Sequence, residues 1–146
     1  MKPVHSEALD LWFDETTRIY HVTYKGKLVP DSSVKAYSRF GNLVAERGLD
    51  AIWGAIFDFR PVTEFHNTNL TTTQNQSRQA NRQYDLSRLP VALVVDDFYK
   101  EQMVRVSARV NKVEKRTRIV YSTEEALKFF EVFHESLPPK DSEVET

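Results

Sequence analysis

The sequence contains no cysteine, which excludes disulfides, thiolate metal sites and a cysteine nucleophile. Its four glycines are scattered, so it has no glycine-rich loop to cradle a phosphate, and it has no Gly-x-Ser-x-Gly elbow. His5, His21, His66 and His134 lack ligand spacing; neither a metal nor a cofactor is expected. No apolar run approaches the roughly 20 residues of a membrane span. The opening "KPVHSEALD" has no apolar centre of the signal-peptide kind, and a cytoplasmic location is expected. An excess of one charge is also missing. The formal net charge is −1, which gives no reason to expect nucleic acid or an anionic membrane as a partner.

What is present suits one domain. The 146 residues are 40% hydrophobic and 28% charged, enough apolar material for one sizeable core. Nine phenylalanines make that core phenylalanine-rich. Residues 1–137 are expected to form the domain, and "PPKDSEVET" at 138–146 a flexible acidic tail.

The periodicity sets the order of elements. "LWF" at 11–13 and the alternating "RIYHVTYKGK", joined by "DETT", read as an opening hairpin. "PDSSVKAYSRFGNLVAERG" reads as a helix: Asp31 or Ser32 caps it, Val34, Tyr37, Phe40, Leu43 and Val44 face inward, and Gly48 ends it. "DAIWGAIFDF" and "LPVALVVDD" are continuous apolar runs suited to central strands. Pro61 stops the first, and Pro90 stands at the start of the second. Over 98–111, Tyr99, Met103, Val106 and Val110 make a helical stripe, while Val104, Val106, Ala108 and Val110 alternate as in a strand. Helix is preferred, because two parallel strands need a crossover. "RIVYS" is the last strand. The last helix opens on a capping box of Ser122 and Glu125 and buries Ala126, Leu127, Phe130 and Phe133. The order β-β-α-β-α-β-α-β-α predicts an α/β fold: a mostly parallel sheet of four to five strands, an opening β-hairpin and four helices. Ile56, Phe57, Leu93, Val94 and Phe130 are the expected core.

One stretch does not fit a core. Between His66 and Gln83 only Leu70 and Ala80 are apolar. A helix polar all round is either a solvated edge or a surface turned toward a partner.

The order and lengths of the elements resemble the STAS or SpoIIAA-like domain of bacterial anti-sigma-factor antagonists, over about Leu9 to Leu137. Two segments carry the resemblance. "AIWGAIFDFRPVTEF" is similar to the family's third strand, and "RIVYSTEEALKFF" to its closing strand and helix. The overall pattern fits a divergent branch. In the antagonists the loop after the third strand carries a "D-S-S-G-L" type motif with a phosphorylated serine. Matched by the leucine, this chain reads His66-Asn67-Thr68-Asn69-Leu70, with Asn67 at the phosphoserine position. Thr68 carries the only hydroxyl within the matched motif and is a weak phosphorylation candidate. The resemblance therefore implies a constitutive partner-binding surface at the loop and polar helix over 58–83, drawing on Asp58, Arg60, His66, Asn67, Thr68, Asn69, Thr72 and Gln76.

Each candidate also has a plainer reading. Asp58 and Arg60 end a central strand, where α/β sheets bind ligands, or they form a local ion pair. Asp96 and Asp97 suit Mg²⁺ or the cap of the next helix. The basic run Arg105, Arg109, Lys112, Lys115, Arg116 and Arg118 suits an acidic partner, a phosphate or the carboxyl end of a helix. The leading function is a non-enzymatic regulatory or protein-interaction module with a protein partner or a second copy of itself. The alternative is a small apolar-ligand or lipid carrier, because SpoIIAA-like domains resemble CRAL-TRIO proteins in fold. An enzyme using Asp58, Asp96 or Asp97 is a third reading.

Overall fold

The computed structural model describes residues 2–65, 75, 76, 78–80, 82–108 and 115–139. The strands are β1 (Val4–His5), β2 (Leu9–Asp14), β3 (Ile19–Tyr24), β4 (Gly26–Leu28), β5 (Gly54–Asp58), β6 (Val62–Phe65), β7 (Val91–Val94) and β8 (Thr117–Val120). The helices are α1 (Pro30–Arg47), α2 (Phe98–Ala108) and α3 (Thr123–Ser136). Residues 75, 76, 78–80, 82 and 83 are also helical, which brings the α-helical segments among the described residues to the expected four.

The main sheet runs β1-β2-β3-β5-β7-β8. β1, β2 and β3 pair antiparallel, and β3, β5, β7 and β8 pair parallel. The expected hairpin and mostly parallel sheet are both present. The sheet has six strands rather than four or five, because the two-residue β1 adds an edge beside β2. A second, two-stranded sheet joins β4 to β6 in parallel; both strands are too short to carry a clear period.

Alternation along β2 and β3 sorts the side chains into two layers. Leu9, Leu11, Tyr20, Val22 and Tyr24 pack with Ala36, Phe40 and Leu43 of α1. Ile19, Ile56, Ala92, Val94 and Val120 pack with Ala126, Phe129, Phe130 and Phe133 of α3. Ile56, Leu93, Val94 and Phe130 are buried as expected. Phe57 is only partly buried, although it is ringed by Tyr20, Tyr24 and Tyr37.

Helix ends and faces depart from the sequence reading in four places. The N-cap of α1 is Val29, with no side-chain bond, and Pro30 opens the helix. Proline suits that position, since its fixed φ is helical and it has no amide to leave unpaired. Asp31 and Ser32 therefore do not cap, and Ser32 is buried. Val34 is exposed while Ala36 is buried. In α3, Phe129 is buried and Leu127 is exposed. In α2 two residues of the stripe, Tyr99 and Val106, are exposed and Met103 is partly buried, while Val104 is buried against Leu93 and Val95. One residue turns a helix by about 100°, so docking through Val104 carries its neighbours away from the sheet. The helix assignment over 98–111 holds through Ala108; residues 109–111, with Val110, lie outside the described residues, as do 140–146 of the tail.

The last helix begins as its capping box predicts. Ser122 Oγ accepts from the Glu125 amide at 3.1 Å. Glu125 Oε2 reaches back to the Tyr121 amide at 3.1 Å, one residue beyond the usual return partner. Ser122→Ala is expected to lower stability by about 1 kcal/mol, read as a shift of the urea midpoint with an unchanged slope.

Candidate functional site

β5, β7 and β8 run parallel, so their carboxyl ends lie side by side, where α/β sheets place their sites. β5 delivers Asp58 to that end. The chain then turns through Arg60 and Pro61, held by the Phe59 amide on the Val94 carbonyl at 2.8 Å. The turn brings Arg60 back over Asp58. Its Nε donates to Oδ1 at 3.0 Å and its terminal nitrogen to Oδ2 at 2.8 Å. The Arg60 amide also donates to Oδ1 at 3.0 Å. The hydrogen bonds to Asp58 hold the guanidinium above its ordinary pKa. Such a pair, with Arg60 37% exposed, contributes about 1 kcal/mol at most. Its effect is to fix the direction of a planar fork of donors, which reaches Thr123 Oγ1 at 3.4 Å.

β7 contributes Asp96 and Asp97 through the turn into α2. Asp97 Oδ1 accepts from the Lys100 amide at 2.7 Å, which is the capping role. Asp96 accepts from Lys100 Nζ at 2.9 Å. The same Nζ donates to the Arg60 carbonyl at 2.6 Å, so Lys100 ties α2 to the turn after β5. On the β8 side, Tyr121 donates its hydroxyl to Glu101 at 2.5 Å, and Arg105 donates to the other Glu101 oxygen at 3.1 Å. These hydrogen bonds, that from Tyr121 first, hold the Glu101 carboxyl below its ordinary range, and the bond to Glu101 pushes the Tyr121 hydroxyl up.

Of the residues singled out in the sequence, the fold brings together Asp58, Arg60, Asp96 and Asp97. Gln76 lies elsewhere, in a groove of about 440 Å³ between α1 and the polar helix, lined also by Tyr37, Gly41, Ala45 and Tyr84. His66, Asn67, Thr68, Asn69 and Thr72 fall outside the described residues, as do Arg109 and Lys112. Elsewhere in the basic run, Arg105 pairs with Glu101 and Arg118 lies 4.7 Å over the Phe129 ring. Lys100, Glu101, Tyr121 and Thr123 escaped the sequence reading. The spacing of Asp96 and Asp97 to Lys100, four and three residues along a helix start, is a signal for the first of them.

The described histidines lie apart. His5 meets Asp10, His21 stacks on Trp12 at 4.6 Å, and His134 stacks on Trp53 at 4.9 Å. Among the described residues no group of three or more histidine and acidic side chains is placed to hold a metal, and no helix is long and apolar enough to cross a membrane.

No protein-family model matches the chain, and no curated protein matches it in sequence. Solved structures do match in architecture. An uncharacterised protein with a SpoIIAA-like fold from Shewanella loihica matches with a TM-score of 0.60 at 12% identity, over 87% of this chain and 97% of that one. An anti-sigma factor antagonist from Mycobacterium paratuberculosis matches with a TM-score of 0.57 at 10% identity, over the same shares of 87% and 97%. The phosphorylated form of the Bacillus cell fate determinant SpoIIAA matches with a TM-score of 0.52 at 12% identity, over 83% of this chain and 97% of that one. The strand order, the opening hairpin and these matches agree: the chain has the SpoIIAA-like fold.

Proposed function

We propose that residues 1–137 form a non-enzymatic, cytoplasmic regulatory or protein-interaction module of the SpoIIAA type. Its partner surface comprises Asp58, Arg60, His66, Asn67, Thr68, Asn69, Thr72 and Gln76. The observation that carries this reading is that several charged side chains at the strand ends are held in place by partners. Asp58 is engaged by Arg60, Asp96 by Lys100, and Glu101 by Tyr121 and Arg105. A general base or nucleophile needs a free lone pair aimed at a substrate, whereas a recognition surface gains from donors and acceptors held in place. The neighbours that are anti-sigma factor antagonists support the same reading by analogy of fold. With Asn67 in place of a phosphoserine, the surface is constitutive.

Replacing Thr72, Gln76 and Arg82 with alanine together tests the surface. Arg82 is exposed and Gln76 only partly buried, and surface changes of this kind fall within about 0.5 kcal/mol each. The expected result is an almost unchanged unfolding midpoint with loss of partner capture from the native cell. Unchanged capture would reduce the stretch to a solvated edge. A large loss of stability would mean that the helix is buried against something else, a second copy of the chain first of all.

A further inference from the structure

The first turn of α2 leaves aromatic surface in water. Phe98 is 72% and Tyr99 63% exposed, adjacent residues in the first turn of the helix. Single exposed apolar residues are ordinary; a cluster of them marks a contact surface. This pair is held in place. The bond from the Lys100 amide to Asp97 fixes the turn that carries both rings. The Tyr99 ring meets Phe65 edge-on at 6.2 Å. Tyr121, also exposed, is fastened to the same helix through Glu101.

The charge around the pair is unbalanced. The Asp96 and Asp97 side chains are 47% and 53% exposed, and among the described residues the cation that pairs with both is Lys100, itself only 15% exposed; Arg60 also attracts Asp96. Lys100 is also committed to the Arg60 carbonyl. Arg60 answers Asp58 and Arg105 answers Glu101. A further acid, Glu124 beside Thr123, is exposed, whereas Glu64 faces Lys27 across the β4–β6 pair. The aromatic pair therefore has a carboxylate rim with the neutralising cation set behind it.

We propose that Phe98 and Tyr99 anchor a basic protein segment bearing an apolar side chain, with Asp96 and Asp97 receiving its lysines or arginines. This deepens the interaction-module reading and rests on it. Aromatic side chains are favoured anchors at the centre of interfaces, and the carboxylate rim supplies specificity and faster encounter. The same rim repels anionic lipid and nucleic acid. It also repels itself across a two-fold axis, which disfavours a symmetric dimer through this face.

The test uses three labelled peptides and fluorescence anisotropy: repeats of lysine with leucine, lysine with serine, and glutamate with leucine. The lysine–leucine peptide is expected to bind at least about tenfold tighter than either control, a difference of about 1.4 kcal/mol. Phe98→Ser with Tyr99→Ser should abolish that preference with an unchanged unfolding midpoint, since both rings are exposed. Asp96→Asn with Asp97→Asn should weaken the lysine–leucine peptide and flatten its salt dependence; asparagine keeps the helix cap, so the fold is preserved. Equal affinity for all three peptides, or indifference to both pairs of substitutions, would overturn the proposal. So would self-association in sedimentation that disappears in the Phe98→Ser, Tyr99→Ser variant, because a second copy would then own the face. If peptide preference fails while the Thr72, Gln76 and Arg82 replacements still abolish capture, the partner chemistry falls and the module reading stands.

Discussion

Phe130→Ala is expected to destabilise the chain by about 3–5 kcal/mol, the range for deleting a buried aromatic side chain. Phe130 has no exposed surface. Its ring stands edge-on to Trp53 at 5.7 Å and tilted to Phe129 at 5.8 Å, within the layer formed by Ile19, Ile56, Ala92, Val94 and Val120. The upper half of the range is the better expectation. Part of the wall around the ring is strand backbone at Gly54, which cannot collapse into the space as a flexible side chain would. Urea unfolding measures the effect. A loss below about 1 kcal/mol is too small for a buried ring and would remove Phe130 from the core.

Gly54→Ala tests the same contact from the other side. A Cβ at Gly54 would stand 2.6 and 2.7 Å from two ring carbons of Phe130, closer than side chains approach. Two effects compete. Alanine restricts the unfolded chain and on that account stabilises by about 0.4–1 kcal/mol. Overpacking a closed layer costs about 1–3 kcal/mol. The second wins here because the ring is trapped between Trp53 and Phe129. The net expectation is a loss of about 1–2 kcal/mol. Adding Phe130→Leu removes the clashing ring atoms, so the double variant should be more stable than the sum of the two single losses, a favourable coupling in a double-mutant cycle. Additive losses would mean that the residues do not touch.

The central strands were legible because Ile56 and Val94 lie in short, β-branched apolar runs bounded by Pro61 and Pro90, a pattern that suits a strand covered on both faces. The last helix was legible from Ser122 and Glu125, since a cap is a local bond between neighbours in sequence. What escaped was set by tertiary contact. The rotation of α2 depends on Val104 finding Leu93 and Val95, and β6 exists because β4 lies beside it. The site divides in the same way. Asp58 and Arg60 are two residues apart, and their pairing is written locally. Lys100 reaches the Arg60 carbonyl from another element, and no local pattern in the sequence announces that bond.

The order of the sheet has a kinetic consequence. Among the described strands only the β1–β2 and β2–β3 pairings join neighbours in sequence; each parallel pairing must first close a loop that carries a helix. Loop closure is entropically unfavourable until the pairing forms, and folds dominated by such contacts form slowly. Asp58, Lys100 and Tyr121 come from three segments that meet only when the last two pairings, β5–β7 and β7–β8, have both closed. A nascent or truncated chain ending before β8 lacks Tyr121 and its bond to Glu101, so the arrangement of side chains at the strand ends is a late product of folding.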